Sequence, residues 1–405
     1  MKNSANGILT THVGSLPRPD DLIALAAQRQ AGEAVDPAAW ESRLAAAVAE
    51  VARLQQQAGI TVPGDGEFGK EMGQRVNYGA WWSYSFQRLG GLKLGTELYR
   101  IPPARSSHDH VVLTSFGDRR DRALFPAAYA DPESGVSTNR GGAGMKLPVA
   151  VDRITYTGHD AIAADIAHFK AALAATGQDQ GFMTSIAPGS CSRIGNEFYK
   201  TEEELIYACA DAMREEYKAI LDAGLILQLD DPSIAENWDQ VNPEPSVEAY
   251  KRFSMIRVEA LNHAIRGLPR ERIRFHLCWG SWHGPHVTDI PLRDIVDVML
   301  AIDVQAYSFE AANVRHEHEW RVWENIKPPA GKILVPGIVS HATNVVEHPE
   351  LVADRIVRFA NLVGRENVIA STDCGLGGRV HPDIAWAKLR TLALGAELAT
   401  KQLWK

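Results

Sequence analysis

Cysteine is scarce in this sequence: four in 405 residues, Cys191, Cys209, Cys278 and Cys374. They are too few and too scattered for a disulfide scaffold. Long apolar runs are missing as well, and none approaches the roughly 18 residues of a membrane-spanning helix. The opening residues, MKNSANGILTTHVGS, lack the basic-then-apolar order of a secretion signal. No basic block occurs, and 42 basic against 50 acidic residues leave a net charge of −8, so nothing draws nucleic acid to the surface. The glycine fingerprints of dinucleotide-binding folds and P-loops are absent too. These absences place the chain in a reducing cytoplasm without membrane or nucleic-acid partner. In that compartment isolated cysteines point to metal binding or catalysis. Oligomeric state is not legible.

What is present is a rhythm. The composition, 45% hydrophobic and 23% charged, is that of an ordinary globular chain. Short apolar runs recur at GILTTHVGS, GITVPGDGE, DRITYTG, GFMTSIAPG, LILQLDDP, RIRFHLCWG, DVQAYSFEA, KILVPGIVS and NVIASTDCG. Helical patterns follow most of them. Thr201 with Glu204 forms a capping box, Gly224 closes the same helix, and other helices start near Pro37, Pro245, Pro291, Pro349 and Pro382. Strand–helix alternation over a whole chain means a parallel sheet. The expected fold is α/β, a single (β/α)8 TIM barrel forming one domain over residues 1–405. Nine strand candidates are one too many for it, with DRITYTG or KILVPGIVS the surplus. The H-x-C strand falls sixth or seventh. Residues 84–146, rich in Arg, Asp, Gly and Pro, break the rhythm and read as an insertion between the second and third units.

In a parallel barrel, chemistry sits at the C-terminal ends of the strands. Those ends carry Ser15, Glu67, Asp230, Asp231, His276, Cys278, Glu310, His341, Asp373 and Cys374. Strand residues two apart share a face, so His276 and Cys278 make a two-ligand claw. Glu310 ends the next strand and Cys374 a later one. One nitrogen, two sulfurs and one oxygen are a donor set that suits Zn2+. The plainer reading is a buried histidine beside inert thiols. Asp230 and Asp231 also read as turn caps, and Glu67 after GDG as a solvated turn residue. His283 and His286 read as pocket lining or loop packing with Trp279 and Trp282. RHEHEW (Arg315 to Trp320) reads as a solvated helix face, and Cys191 and Cys209 as structural.

The ordered motifs THVGS, DGE, QLDDPSIAE, HLC, SFEA, VSHATN and TDCGL resemble the catalytic half of cobalamin-independent methionine synthase. They also resemble its single-barrel relatives, which include epoxyalkane:coenzyme M transferase. The resemblance covers nearly the whole chain outside 84–146. It implies zinc at the barrel mouth, held by His276, Cys278, Glu310 and Cys374, activating a small thiol. It implies Val13, Gly14, Ser15, Glu67, Asp230 and Glu236 as contacts to an amino-acid thiol, and His341 as the histidine that serves proton transfer. The implied activity is a zinc-dependent S-alkyltransferase, most simply a methyltransferase. The alternatives are an epoxide–thiol transferase or lyase and a non-catalytic zinc-binding barrel. The partners are then a small thiol acceptor and an alkyl donor, whether methylfolate, corrinoid protein, another methylated compound or an epoxide. Two departures concern the donor. The full-length synthase has a further N-terminal barrel that contributes to folate binding, and Ser192 stands where folate-using enzymes have a tryptophan.

Overall fold

Short β-branched and aromatic runs bounded by Gly, Pro and Asp form strands because their side chains pack well on a pleated, buried surface. The computed structural model describes residues 1–75, 77, 79–94, 105–113, 118–136 and 147–405. In chain order the strands are β1 (Leu9–Thr10), β2 (Leu89–Leu94), β3 (Pro148–Tyr156), β4 (Phe182–Ile186) and β5 (Gly195–Asn196). They continue with β6 (Ile226–Asp230), β7 (Ile273–Leu277), β8 (Ala306–Phe309), β9 (Ile333–Val339) and β10 (Ile369–Thr372). Seven of them make one sheet in the order β1-β10-β9-β8-β7-β6-β4, and every pairing in it is parallel. The sheet curls until both of its edges meet residues 61–64. Val62 N donates to Thr10 O at 2.9 Å, Phe182 N donates to Pro63 O at 2.9 Å, and Gly64 bridges Phe182 in parallel. The result is an α/β fold, a curled parallel sheet wrapped by helices.

The helices carry their starts in the sequence. Pro37–Gln57 follows Asp36, whose carboxylate accepts from Ala38 N at 3.1 Å. Glu202–Asp222 follows Thr201, whose hydroxyl accepts from Glu204 N at 3.1 Å while the Glu204 carboxylate accepts from Lys200 N at 2.9 Å. Val247–Ile265 follows Ser246, capping Ala249 N at 3.1 Å. Such caps are worth about 1 kcal/mol each. Leu292–Leu300, Pro349–Val363 and Pro382–Leu403 begin at or just after the expected prolines.

The surplus strand candidate is DRITYTG. Its residues belong to β3, which pairs antiparallel with β2 and parallel with β5 in a separate three-stranded sheet. The H-x-C strand β7 is therefore the fourth strand of the parallel sheet in chain order, or fifth counting residues 61–64, and not sixth or seventh. A β-hairpin arm and a barrel strand have the same local composition, so only pairing separates them. The described part of the 84–146 insertion extends this second sheet; residues 95–104, 114–117 and 137–146 lie outside the described residues. Glu216 anchors the sheet to the helix Glu202–Asp222. Its buried carboxylate accepts from Tyr84 Oη (2.8 Å), Tyr156 Oη (2.7 Å), Ser185 Oγ (2.7 Å) and Arg88 Nη1 (3.2 Å), a set that satisfies an otherwise costly buried charge.

Inside the curled sheet, buried Arg274 ties three strands together. It donates to Gln228 Oε1 (2.7 Å), Thr11 Oγ1 (3.0 Å) and His12 O (2.8 Å) and lies 3.7 Å over the Phe182 ring. Sheet register then positions the functional ends. Asp230 is level with His276, and His276 with Ser308. One residue beyond the pair Leu277–Phe309 come Cys278 and Glu310, and two beyond Thr372–Val339 come Cys374 and His341.

Candidate functional site

The ligand atoms of His276, Cys278 and Cys374 all lie within 4.8 Å of one another. Ser308 fixes the imidazole, its hydroxyl 3.2 Å from Nδ1. That leaves Nε2 buried without a hydrogen-bond partner, the arrangement of a ligand whose other nitrogen is held by its surroundings. The two thiols are hydrogen-bonded to each other. The Cys374 sulfur is held well below its ordinary range by a hydrogen bond from Cys278 and by His276, while Cys278 is pushed well up by the same bond and by burial. An imidazole nitrogen beside two close sulfurs is a donor set that fits zinc. Cys374 is partly exposed, whereas His276 and Cys278 are buried, so the cluster is reached from the Cys374 side.

Glu310 sits beside this trio and groups with His341 and Asp373, the three ligand atoms again within 4.8 Å. Its carboxylate accepts from Trp279 N (2.9 Å) and Asn313 Nδ2 (2.7 Å). Burial, with Asp373 and Cys374 nearby, pushes Glu310 well up against the opposing influence of His316. Asp373 braces the loop that carries it, accepting from Ala311 N (2.7 Å), Ala312 N (2.8 Å) and Asn313 Nδ2 (3.2 Å). A side chain at Gly337 would come within 2.3 Å of the Asp373 carboxylate, which is why that strand position is glycine. His341 follows β9 on its loop, 2% exposed, with Nδ1 unpartnered; burial lowers it to about 4.

The expected substrate contacts line the adjoining mouth. Val13 O accepts from Gln228 Nε2, which also donates to Asp230 Oδ1 at 2.7 Å. Gly14 adopts φ +142, and a side chain there would come within 2.7 Å of Glu67 Oε1. Ser15 is half-buried between Arg18 and the Gly377 carbonyl. Glu67, at φ 62, is no solvated turn residue: it is buried, and its carboxylate receives Lys70 Nζ at 3.1 Å and the Thr184 hydroxyl. Burial opposes its charge, but Lys70 and Thr184 hold it below the usual carboxylate range. Burial pushes Asp230 up to about 7. Asp231 caps the next turn, accepting from Ser233 N at 3.2 Å. Glu236 lies apart from the others, both oxygens taken by arginines, Arg119 on one and Arg193 at 3.0 Å on the other.

Arg119 comes from the insertion, which docks across the loops after β6 and β7. Its guanidinium lies 3.8 Å over Trp282. Asp121 accepts from His286 N (3.3 Å) and Val287 N (3.2 Å), and Tyr129 Oη receives Trp282 Nε1 at 3.1 Å. His286 packs on Trp282 at 3.9 Å, as a loop-packing histidine. The RHEHEW stretch is not a solvated helix face. It is a short 3-10 turn whose His316 and Glu319 face inward. His316 lies between Glu319 (2.8 Å) and Asp289 (3.1 Å) and stacks on Trp279 at 4.0 Å, bracing the loops that bear Cys278 and Glu310. Sequence reasoning missed Lys70, Thr184, Ser308 and Asn313. None sits in a motif whose spacing signals chemistry: strand register places Thr184 and Ser308, and the course of their loops places Lys70 and Asn313.

The profile of the cobalamin-independent synthase catalytic domain matches residues 153–397. A methionine synthase of Thermococcus kodakarensis is 27% identical over 209 residues, 51% of this chain and 54% of that protein. One from Saccharolobus solfataricus is 23% identical over 399 residues, 97% of this chain and 95% of that protein. In structure, the chain superposes on a B12-independent methionine synthase from Shewanella sp. W3-18-1, solved with selenomethionine, at TM-score 0.68 and 19% identity, covering 98% and 99% of the two chains. With more than half its length inside that profile, the chain belongs to the cobalamin-independent synthase catalytic-domain family.

Proposed function

We propose that this protein is a zinc-dependent S-alkyltransferase, built as one domain over residues 1–405 on a closed (β/α)8 barrel. It transfers an alkyl group, most simply methyl, to a small thiol such as homocysteine. The observation that carries the reading is the convergence of His276, Cys278 and Cys374 with the orphaned Nε2, next to a mouth lined by Ser15, Glu67 and Asp230. His276, Cys278 and Cys374, with Glu310, would hold the ion. When bound, zinc would keep the acceptor sulfur deprotonated at neutral pH, where a free thiol is mostly protonated.

The chain's own residues do the rest. Trp279 N and Asn313 hold the Glu310 carboxylate in reach, where it would be the least thiophilic of the four donors. Val13, Gly14, Ser15, Glu67 and Asp230 orient the thiol's polar end. His341 Nδ1 is unpartnered and buried, placed to carry a proton to the leaving group. The insertion closes the donor side with Arg119 on Glu236 and Trp282, so Glu236 serves the acceptor only by sharing its arginines. That occupancy, with Ser192 in place of an aromatic platform, favours a donor other than a folate. It keeps the epoxide–thiol reading as second choice, ring opening drawing its proton from His341 or His283.

Metal analysis combined with a thiol-alkylation screen over methyl donors and epoxides tests the proposal. Cys374→Ser is expected to lose zinc and turnover together. Full activity without metal sinks the mechanism. Bound zinc that no added thiol can reach argues for a non-catalytic barrel.

A further inference from the structure

His341 stands at the neck of a loop whose next five residues, Ala342 to Val346, are exposed. β9 ends at Val339, whose carbonyl still accepts from Asp373 N at 2.9 Å. One residue on, Ser340 N donates to the Glu347 carboxylate at 2.7 Å, seven residues along the chain. The other Glu347 oxygen receives Lys388 Nζ at 2.9 Å, and the same ammonium donates to Val345 O at 2.5 Å. Lys388 belongs to the helix Pro382–Leu403, and the side chains of Lys388 and Glu347 are only 0% and 8% exposed. A buried ion pair carried by the last helix therefore closes the loop that begins with Ser340 and His341.

The loop itself supplies little restraint. Its internal bonds are short-range, Ala342 N to Ser340 Oγ at 3.1 Å and Val345 N to Thr343 Oγ1 at 3.1 Å, and Val345 is 69% exposed. Exposed segments held by local bonds open at low free-energy cost. Yet Ser340 and His341 at its neck are buried, and the His341 ring lies with Glu310 and Asp373, their ligand atoms within 4.8 Å. A buried ion pair is a weak source of stability, since apolar residues of similar volume often stabilise as well or better. What an apolar pair cannot do is accept from Ser340 N and donate to Val345 O. Those bonds fix the chain before and after His341.

We propose that Glu347 and Lys388 are positioning residues for His341: by pinning Ser340 and Val345 they hold the imidazole beside Glu310, in line for proton transfer. The inference rests on the reading of His341 as the proton carrier and names what keeps it in place.

The test is the double variant Glu347→Leu with Lys388→Met, which replaces the pair by apolar groups of similar size and is expected to fold. In zinc-loaded protein carrying isotope-labelled histidine, the His341 ring signal in NMR is assigned by its loss in His341→Asn. It is expected to be single and sharp in the wild type and broadened or doubled in the variant. Kinetics supply the second readout, with homocysteine as acceptor. Attack on epoxypropane breaks a C–O bond and leaves an alkoxide that must take up a proton. Attack on trimethylsulfonium breaks a C–S bond and releases neutral dimethyl sulfide. Turnover with epoxypropane should fall by up to about 100-fold, the effect of a misplacement of ~1 Å, and change little with trimethylsulfonium. Zinc content and homocysteine affinity should stay at wild type. Glu347→Gln, which keeps an acceptor for Ser340 N, should lie between wild type and the double variant in both readouts, and carries the test if the double variant does not fold. The ring signal decides if neither donor is turned over. An unchanged ring signal, an equal loss with both donors, or a loss of zinc overturns the inference and leaves the zinc–thiol reading in place. If His341→Asn is itself equally impaired with both donors, the proton-transfer reading falls and this inference with it.

Discussion

His341 is the residue at which the proposed metal binding and the proposed proton movement can be tested apart. It stands on the loop after β9 beside Glu310 with Nδ1 unpartnered, and three ligand atoms already converge without it. His341→Asn is therefore expected to keep zinc content and thiol affinity near wild type while turnover falls by roughly 10²- to 10⁴-fold, the usual contribution of general acid–base catalysis. The loss should be smaller with a sulfonium donor, whose leaving group needs no proton. Equal impairment with both donor types means His341 positions substrate, and loss of zinc means it is a ligand. His12, a few residues before Ser15, makes the complementary case for stability. Its Nδ1 accepts Gly14 N at 3.1 Å and its Nε2 lies 2.8 Å from Gln55 Oε1, a network that requires the neutral ring. Burial lowers it from 6.5 to about 3. Because the folded value is depressed, the stabilisation is fully present above pH 6.5 and is lost as pH falls from there towards 3. Integrated over the window, it amounts to a few kcal/mol in order of magnitude. The unfolding free-energy gap between wild type and His12→Asn should narrow across that window. A gap that stays constant from pH 6.5 to 3 rules out the role.

At the level of elements, residues 118–130 of the insertion are held to the mouth chiefly by polar contacts. Arg119 stacks on Trp282 and pairs with Glu236, Asp121 caps two backbone N–H groups of the β7 loop, and Asp121 N in turn donates to Asp239 Oδ1 at 3.0 Å. Apolar burial there is slight: Leu124 is 60% exposed and Phe125 37%. Segments held by polar contacts with little buried apolar surface open locally at low free-energy cost. Arg119→Ala with Asp121→Ala should expose residues 118–130 to limited proteolysis several-fold faster, with hydrogen exchange in β6 through β9 unchanged. Faster exchange throughout those strands would mean that the insertion is integral to the sheet. The same distinction between arm and scaffold explains the miscounted strand: β3 reads in sequence like a sheet strand, and its antiparallel partner β2 lies inside the irregular stretch.

For the whole molecule, the sequence by itself determined the α/β class of fold and which polar residues stand at the strand ends. Alternating apolar runs and capped helices specify a parallel sheet because period and capping are local properties of the chain. His276 and Cys278 share a face because strand side chains alternate, and Cys374 joins them from a later strand end while Glu310 groups with His341 and Asp373. Other features were decided only by tertiary structure. Strand register sets which ends stand level, and it brings His341 to Glu310 and Ser308 to His276. Loop packing gives Glu67 the lysine three residues on and Glu236 two arginines, so that two carboxylates of the same apparent promise differ in what they can offer a ligand. The solvated reading of RHEHEW failed for a related reason, since a short 3-10 turn does not present the face that an α-helix of the same residues would. Pairing, burial and counter-charge are properties of neighbours distant in sequence; for Arg18, Arg119 and Lys70 those neighbours exist only once the sheet has curled.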